Sequence, residues 1–257
     1  MDARSLPARS GKLPSIAEFD ARFFAVTGKA ADKMDPQLRL LLHATHEAVT
    51  DAGWTLDELA GSSTGVWVAG SFSDSHFDLL EDATAITGYE HTGCLLNMFS
   101  NRISYFYDLH GPSLTVDTAC SSGMVALAMA LAALRSGECE RAIVGGVNIQ
   151  LIPTRSVAFD KLNMLSPDGA CKTFDASANG YVRAEGIAAI VLDAADTARN
   201  AYLDLLVAAC NNDGYTPQGI TYPSSDAQVA LIRSCLAAAG ATPEDVVYVE
   251  AHGTGTQ

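Results

Sequence analysis

Apolar and polar positions alternate along this chain with two periods, and the boundaries between them fall on turn residues. Met34-Asp35-Pro36 reads as a helix start, with Asp35 as N-cap and Pro36 in the first turn. The helical pattern QLRLLLHATHEAVTDAG then runs to a stop at Gly53. Residues 1–33 are irregular, with FDARFF as an apolar knot expected to pack down. TGVWVAG (64–70) is a short β-rich run, and 71–92 is polar and mixed, a loop with helical pieces. CLLNMFSNRISYFYDL is helical to near Asp108, and His110-Gly111-Pro112 is a turn. SLTVDTA (113–119) reads as a buried strand, MVALAMALAALRSG (124–137) as a helix apolar on almost every side, and RAIVGGVN (141–148) as the next buried strand. A helix of that kind is expected to be covered all round. Strand, turn, helix and strand in about 35 residues make a βαβ unit, so the sheet has parallel strands. GIAAIVLD (186–193), LDLLVAACN (203–211) and VVYVEA (246–251) read as further apolar strands, and SSDAQVALIRSCLAAAG (224–240) as a helix stopped by Gly240.

A buried strand feeding a Gly-rich loop should lead into another element, and an α/β domain seldom opens on over thirty loop-like residues. The expectation is therefore a fragment cut at both ends. The 257 residues, 48% hydrophobic and 18% charged, suffice for one large domain or two small ones. The sequence shows no run of roughly 18 uninterrupted apolar residues and no signal-peptide core at the N-terminus, so a cytoplasmic protein with no membrane partner is expected. A net charge of −14 argues against nucleic acid as a partner. The charge is uneven. Residues 1–39 hold seven basic and five acidic side chains, leaving −16 on the rest. That segment is either an ordinary solvated face or a dock for an acidic partner.

The six cysteines are scattered without a CxxC pair, which is neither a disulfide framework nor a zinc site, and most are expected to be small buried hydrophobes. Cys120 is the candidate exception. It stands between a strand and a helix, where free N–H groups and the helix dipole favour thiolate and could hold an oxyanion. Ala119, Ser121, Ser122 and Gly123 leave room for a substrate. The alternative is a buried structural cysteine. His252 occupies the matching place past VVYVEA, and α/β sites gather at the carboxyl ends of strands. The GTGT after it adds backbone N–H groups and the hydroxyls of Thr254 and Thr256. The likeness in plan of SLTVDTACSSG and VVYVEAHGTGT suggests two related halves that bring Cys120 and His252 together. His43 and His46, beside Glu47, are read as a solvated helix face rather than a partial metal site. Lys161, Asp168 and Lys172 lie in a loop-rich stretch that defines no charged cleft.

VDTACSSG resembles the nucleophile motif of β-ketoacyl synthases, and EAHGTGT resembles their first catalytic-histidine motif. FDARFF, MDPQLRLLLHATHEAVTDAG, NRISYFYDLHGPS, IVGGVN, MLSPDGACKTFDASANGYVRAEG and NNDG agree in order, so the resemblance covers about residues 19–257. The MDPQLRLLL segment is of the multidomain type, and the whole looks closest to animal-type fatty acid synthase. The resemblance implies an α/β, thiolase-like αβαβα layered fold and a homodimer. Residues 1–198 would be the N-terminal, nucleophile half, without its first strand. Residues 199–257 would begin the C-terminal half.

The implied reaction is the decarboxylative condensation of fatty acid biosynthesis, catalysed by an acyltransferase of the 3-oxoacyl-[acyl-carrier-protein] synthase type. Cys120 would take the acyl chain, and His252 would assist loss of CO₂ from a malonyl thioester and stabilise the carbanion. Thr254 and Thr256 would bind the pantetheine arm. Substrates would ride on the 4′-phosphopantetheine of an acyl carrier protein, with no bound metal or redox cofactor. The partners would be the carrier and the malonyl/acyltransferase domains. The second catalytic histidine, an associated lysine and the loop completing the oxyanion site would lie beyond Gln257. The chain alone is thus expected to be inactive in condensation and to expose apolar surface. Docking of an acidic carrier would need basic side chains, from the N-terminal cluster or from Arg102, Arg135 and Arg141. Three other readings are weighed. A polyketide synthase ketosynthase would be separated by its neighbouring domains. A non-catalytic synthase-like partner is opposed by Cys120. A thiolase is opposed by the EAHGTGT and MDPQLRLLL segments.

Overall fold

The computed structural model describes residues 6–80, 84 and 86–256, so Asp2 and Arg4 of the N-terminal charge cluster and part of the 71–92 loop lie outside the described residues. The first elements are α1 (Gly28–Asp32), α2 (Pro36–Asp51), α3 (Leu56–Leu59), β1 (Gly65–Ala69), α4 (Asp74–Leu80), α5 (Tyr89–Cys94) and α6 (Asn97–Tyr107). β2 (Ser113–Val116), α7 (Ser122–Ser136), β3 (Arg141–Asn148), α8 (Thr154–Lys161), β4 (Gly186–Asp193) and α9 (Ser225–Ala239) follow. The four strands form one sheet in the order β2-β1-β3-β4. β1 lies parallel to both β2 and β3, which makes β2-α7-β3 the expected βαβ unit with β1 between its strands. β4 closes the sheet antiparallel to β3.

Helices cover both faces of the sheet. Alternation along β1 sends Val66 and Val68 to one face and Trp67 to the other. On the first face α2 buries Leu38, Leu41, Leu42, Thr45 and Val49, a stripe at helical spacing. The carboxylate of Asp35 accepts from Gln37 N at 2.7 Å and caps this helix as the sequence predicts. The FDARFF knot does pack down. Phe19, Phe23 and Phe24 stack with His43 and His46 at centroid distances of 4.7–5.5 Å, and His46 Nδ1 lies 3.3 Å from the Tyr107 hydroxyl. The two histidines thus belong to an aromatic cluster, not to the open helix face expected of them.

Four other expectations change. β2 is half-exposed rather than buried, because it is an edge strand with β1 as its only partner among the described strands. α7 is covered on one face only. Ser122, Ala126, Ala130 and Ala133 press on the sheet, whereas Met124 on the other side is 65% exposed. The stretch Ala119–Ser136, 18 residues of mean hydropathy 1.4, has the length and composition to cross a membrane, although Ser121, Ser122, Gly123 and Arg135 interrupt its apolar character. Residues 203–211 and 246–251 carry no strand, and Val247 is 98% exposed. Their apolar sequence favours a strand, but no partner strand among the described residues lies beside them to complete a ladder. Finally, only Cys94 and Cys139 are buried among the six cysteines, because the others fall on loops or open helix faces.

The segment after β4 returns to α2 and α3 through Trp54, whose indole lies between two guanidinium groups. Arg141 and Arg199 each sit 3.6 Å from its centroid. Trp54 Nε1 donates to Asp193 at 2.7 Å, and Arg141 Nε donates to the same carboxylate at 2.6 Å. Arg141 is therefore 6% exposed and paired, which removes it from any docking surface. Arg135 is turned to the carbonyl of Leu206 and Arg102 to that of Thr92. Arg199 also pairs with Glu58 at 2.8 Å. That guanidinium, together with the Thr55 side chain and N–H, holds the Glu58 carboxyl down at about 2 against an ordinary 4.5. A depressed carboxyl contributes stability that is complete above the ordinary value and is lost as pH falls towards the folded one. Glu58→Gln should therefore lower stability at neutral pH and flatten its decline between pH 4.5 and about 2, as read by denaturant unfolding across that range. Equal slopes for the two proteins would refute the clamp.

Candidate active site

The chain reverses sharply between β2 and α7. Ala119 has φ +56°, a left-handed conformation that costs a non-glycine residue roughly 1–2 kcal/mol. Its neighbours hold it there. The Asp117 carboxylate accepts from Ala119 N at 2.9 Å and from the Ser71 hydroxyl at 2.7 Å. The Ser71 hydroxyl, then the Ala119 N–H, keep that carboxyl below its usual range. Ser122 Oγ accepts from Thr118 N at 2.8 Å and donates to Ala119 O at 2.6 Å. This elbow leaves Cys120 exposed, two residues before the first turn of α7, whose N-cap Ser121 makes no capping bond. The thiol thus stands on a fixed corner, not among core side chains.

His252 arrives by a different route from the one its sequence predicts. No strand carries it. Instead, the glycines that follow it dock on the loop 168–181. Thr173 Oγ1 donates to Gly253 O at 2.5 Å, and Gly180 N donates to Gly255 O at 2.9 Å. Gly253 has φ +57°, and a Cβ there would stand 2.7 Å from Thr173 Cγ2. The receiving loop is itself braced. Lys172 Nζ and Asn179 Nδ2 both donate to Asp168, at 2.6 and 2.9 Å. Lys172, then Asn179, hold the Asp168 carboxyl below its usual range. The charged loop that defines no cleft in the sequence is thus the platform for the histidine segment.

The two routes meet in one cleft of about 700 Å³, lined by both Cys120 and His252. Thr254 also lines it. Thr256 does not, although its hydroxyl lies 3.1 Å from that of Thr254. The cleft has walls that sequence reading did not single out: Phe72, Phe159, Cys171 and Tyr181. The Tyr181 phenol is pushed up by burial and by the nearby Cys120. Cys171 Sγ accepts from Val182 N at 3.2 Å. Tyr181 follows Gly180 directly and Cys171 opens the same loop, and both could be inferred only from knowing that this loop faces the elbow. An exposed thiol, an imidazole and hydroxyls around one apolar-walled cleft can attack a carbonyl and hydrogen-bond the resulting oxyanion.

Comparison with known proteins agrees with this arrangement. The family described as "Beta-ketoacyl synthase, N-terminal domain" matches residues 3–198, and its companion "Beta-ketoacyl synthase, C-terminal domain" matches residues 202–257. A fatty acid synthase of the goose Anser anser anser is 50% identical over 252 residues, covering 98% of this chain and 72% of that protein. A partially reducing polyketide synthase of Menisporopsis theobromae is 46% identical over 247 residues, covering 94% of this chain but only 9% of its own length. Among solved structures, an oxazolomycin ketosynthase domain of Streptomyces albus JA3453 superposes with a TM-score of 0.86 at 36% identity. It covers 96% of this chain, which spans 44% of that one. The ketosynthase of module 6 of the Bacillus subtilis bacillaene synthase gives 0.82 at 36%, with 95% and 42% covered. The expected thiolase-like α/β layered fold therefore holds, and the chain belongs to the β-ketoacyl synthase family of condensing enzymes.

Proposed function

We propose that this chain carries the acyl-accepting site of a fatty acid synthase ketosynthase. The observation that supports it is the common cleft: a cysteine on a strained, hydrogen-bonded corner and a histidine delivered by a separate loop line the same space. Cys120 attacks an acyl thioester carried on the phosphopantetheine of an acyl carrier protein, forms a new thioester and releases the carrier thiol. A malonyl thioester then loses CO₂. The carbanion attacks the acyl-cysteine carbonyl, giving a 3-oxoacyl thioester and regenerating the thiol. His252 donates a hydrogen bond to the malonyl thioester carbonyl as enolate charge develops there. Thr254, inside the cleft, holds the pantetheine arm. Thr256, outside it, acts on that arm through the Thr254 hydroxyl. A homodimer, cytoplasmic location and association with malonyl/acyltransferase domains complete this reading. The 50% identity to goose fatty acid synthase favours fatty acid over polyketide chemistry. The 46% identity to a polyketide synthase keeps the latter as the second reading.

Two measurements check this account. Incubated with an acyl-pantetheine thioester and mapped by peptide mass spectrometry, the protein should carry the acyl group on Cys120. Cys120→Ser should carry none at that site, while His252→Ala should still be labelled, because the histidine serves the malonyl step. Label on another cysteine, or equal label in Cys120→Ser, would overturn the assignment. The second measurement concerns the docked loop. Gly180 has φ +126°, and a Cβ there would stand 2.6 Å from the backbone of Leu165 and Ser166. Gly180→Ala should therefore strain or expel this contact, at a cost of roughly 1–3 kcal/mol. Amide hydrogen exchange over residues 253–256 should then rise, with little change in the elbow peptide 117–123. Unchanged exchange over 253–256 would show that the Gly180–Gly255 bond does not hold the histidine segment.

A further inference from the structure

A second cavity, of about 280 Å³, shares only Tyr181, Val182 and Arg183 with the Cys120 cleft. The N-terminal basic segment forms one of its walls, through Arg9, Ser10 and Lys12. The start of α8 forms another, through Pro153 and Ser156. The charge of this cavity has one sign: Arg9, Lys12 and Arg183 line it, and no carboxylate does.

The three cations differ in how they are neutralised. Lys12 Nζ is paired with Glu185 at 2.7 Å. Arg183 has no such partner among the described residues, although it is half-buried. It donates to the neutral Ser156 hydroxyl at 2.9 Å, and its guanidinium lies 5.1 Å from the Phe159 centroid. Burial, above all, lowers its pKa. Asp74, the acid that acts on it, is already taken by Arg155 at 2.9 Å and by Leu151 N at 3.0 Å. Arg9 has neither a hydrogen bond nor an ion pair among the described residues, and its aliphatic part lies over Gly169. A half-buried guanidinium without a counter-charge is costly. Two further features ask for an acceptor. Gln150 lines the same cavity, and its buried Nε2 has no partner among the described residues. α8 begins without a capping side chain, which leaves first-turn N–H groups and the positive end of the helix dipole on this side.

We propose that this cavity binds a small phosphate monoester, its phosphoryl group taken by Arg9 and Arg183 with the hydroxyls of Ser10 and Ser156. Two unneutralised guanidinium groups match a phosphoryl group that carries roughly two negative charges at neutral pH. Guanidinium forks fit phosphate oxygens two at a time, which a single planar carboxylate does not offer to two arginines at once. Leu151, Ile152 and Leu165 add apolar wall, so the ligand carries an organic body beside its anion. The inference stands apart from the acylation of Cys120, and neither depends on the other.

The test is binding of 1-naphthyl phosphate to the whole chain, by calorimetry at fixed ionic strength. Arg9→Gln and Arg183→Gln should each weaken binding by about tenfold or more, the loss of a charged hydrogen bond. Arg183→Lys, which keeps the charge but not the fork, should weaken it less than Arg183→Gln. Arg233→Gln, which removes the same charge from α9 outside the lining, should leave it unchanged. Inorganic phosphate should bind more weakly than the naphthyl ester, and 1-naphthol not at all. Methyl 1-naphthyl phosphate, a diester with one charge, should bind more weakly than the monoester, which separates a free phosphorylated small molecule from a phosphate linked at both ends. If a melting curve shows that Arg183→Gln does not fold, Arg9→Gln and Arg183→Lys decide the matter. Equal affinity in wild type and in the folded Arg9 and Arg183 variants overturns the site. So does a naphthol that binds as well as the phosphate. A diester that binds as tightly as the monoester overturns the assignment to a dianion.

Discussion

Two backbone hydrogen-bond acceptors on the glycines after His252 hold the arrangement together. Gly253 O and Gly255 O are taken by Thr173 and Gly180, and through them the last residues of the chain sit against a loop that faces the Cys120 elbow. Residues 246–251, immediately before it, carry no strand and are exposed. The glycines are needed because the approach is close and left-handed, which side chains at 253 or 255 would oppose. The acidic loop brace of Asp168 with Lys172 and Asn179 therefore acts on the site from a distance, by keeping the receiving surface in shape.

The other half of the site depends on strain that its surroundings counter. Ala119 is held left-handed by Asp117 and Ser122, and Asp117 also holds Ser71, which lines the same cleft. One carboxylate thus couples the corner that presents the thiol to the wall beside it. Both stand at the ends of parallel strands β1 and β2, whose register is set by burial of Val66, Val68 and Trp67 against helices on opposite faces. The site is an extension of sheet geometry, and its rigidity comes from the core beneath it.

Much of this was legible in the residues. Asp35 and Pro36 announced α2, Gly240 ended its helix in a left-handed turn, and the βαβ unit around Cys120 appeared where the apolar pattern put it. Local chemistry decides such features, so local sequence reveals them. What stayed hidden depends on partners distant in sequence. An apolar run such as VVYVEA forms a strand only beside another strand, and periodicity does not report a neighbour. The apolar stretch of α7 was recognised as a helix, but its small residues select one packed face and leave Met124 outside. Phe72 and Tyr181 carry no motif that marks them as cleft walls. The stacking of Trp54 between Arg141 and Arg199 joins residues more than fifty positions apart and turned an expected docking arginine into a buried structural one.

The convergence of Cys120 with residue 252 is the central claim, and proximity cross-linking tests it most directly. With His252→Cys, a short bifunctional thiol reagent spanning a few ångströms should join Cys120 to the introduced thiol, seen as a single linked peptide pair by mass spectrometry. The link should be lost when Gly180→Val is added to displace the loop. Efficient separate alkylation of both thiols with no linked pair would contradict the shared cleft and leave the two motifs without a common site.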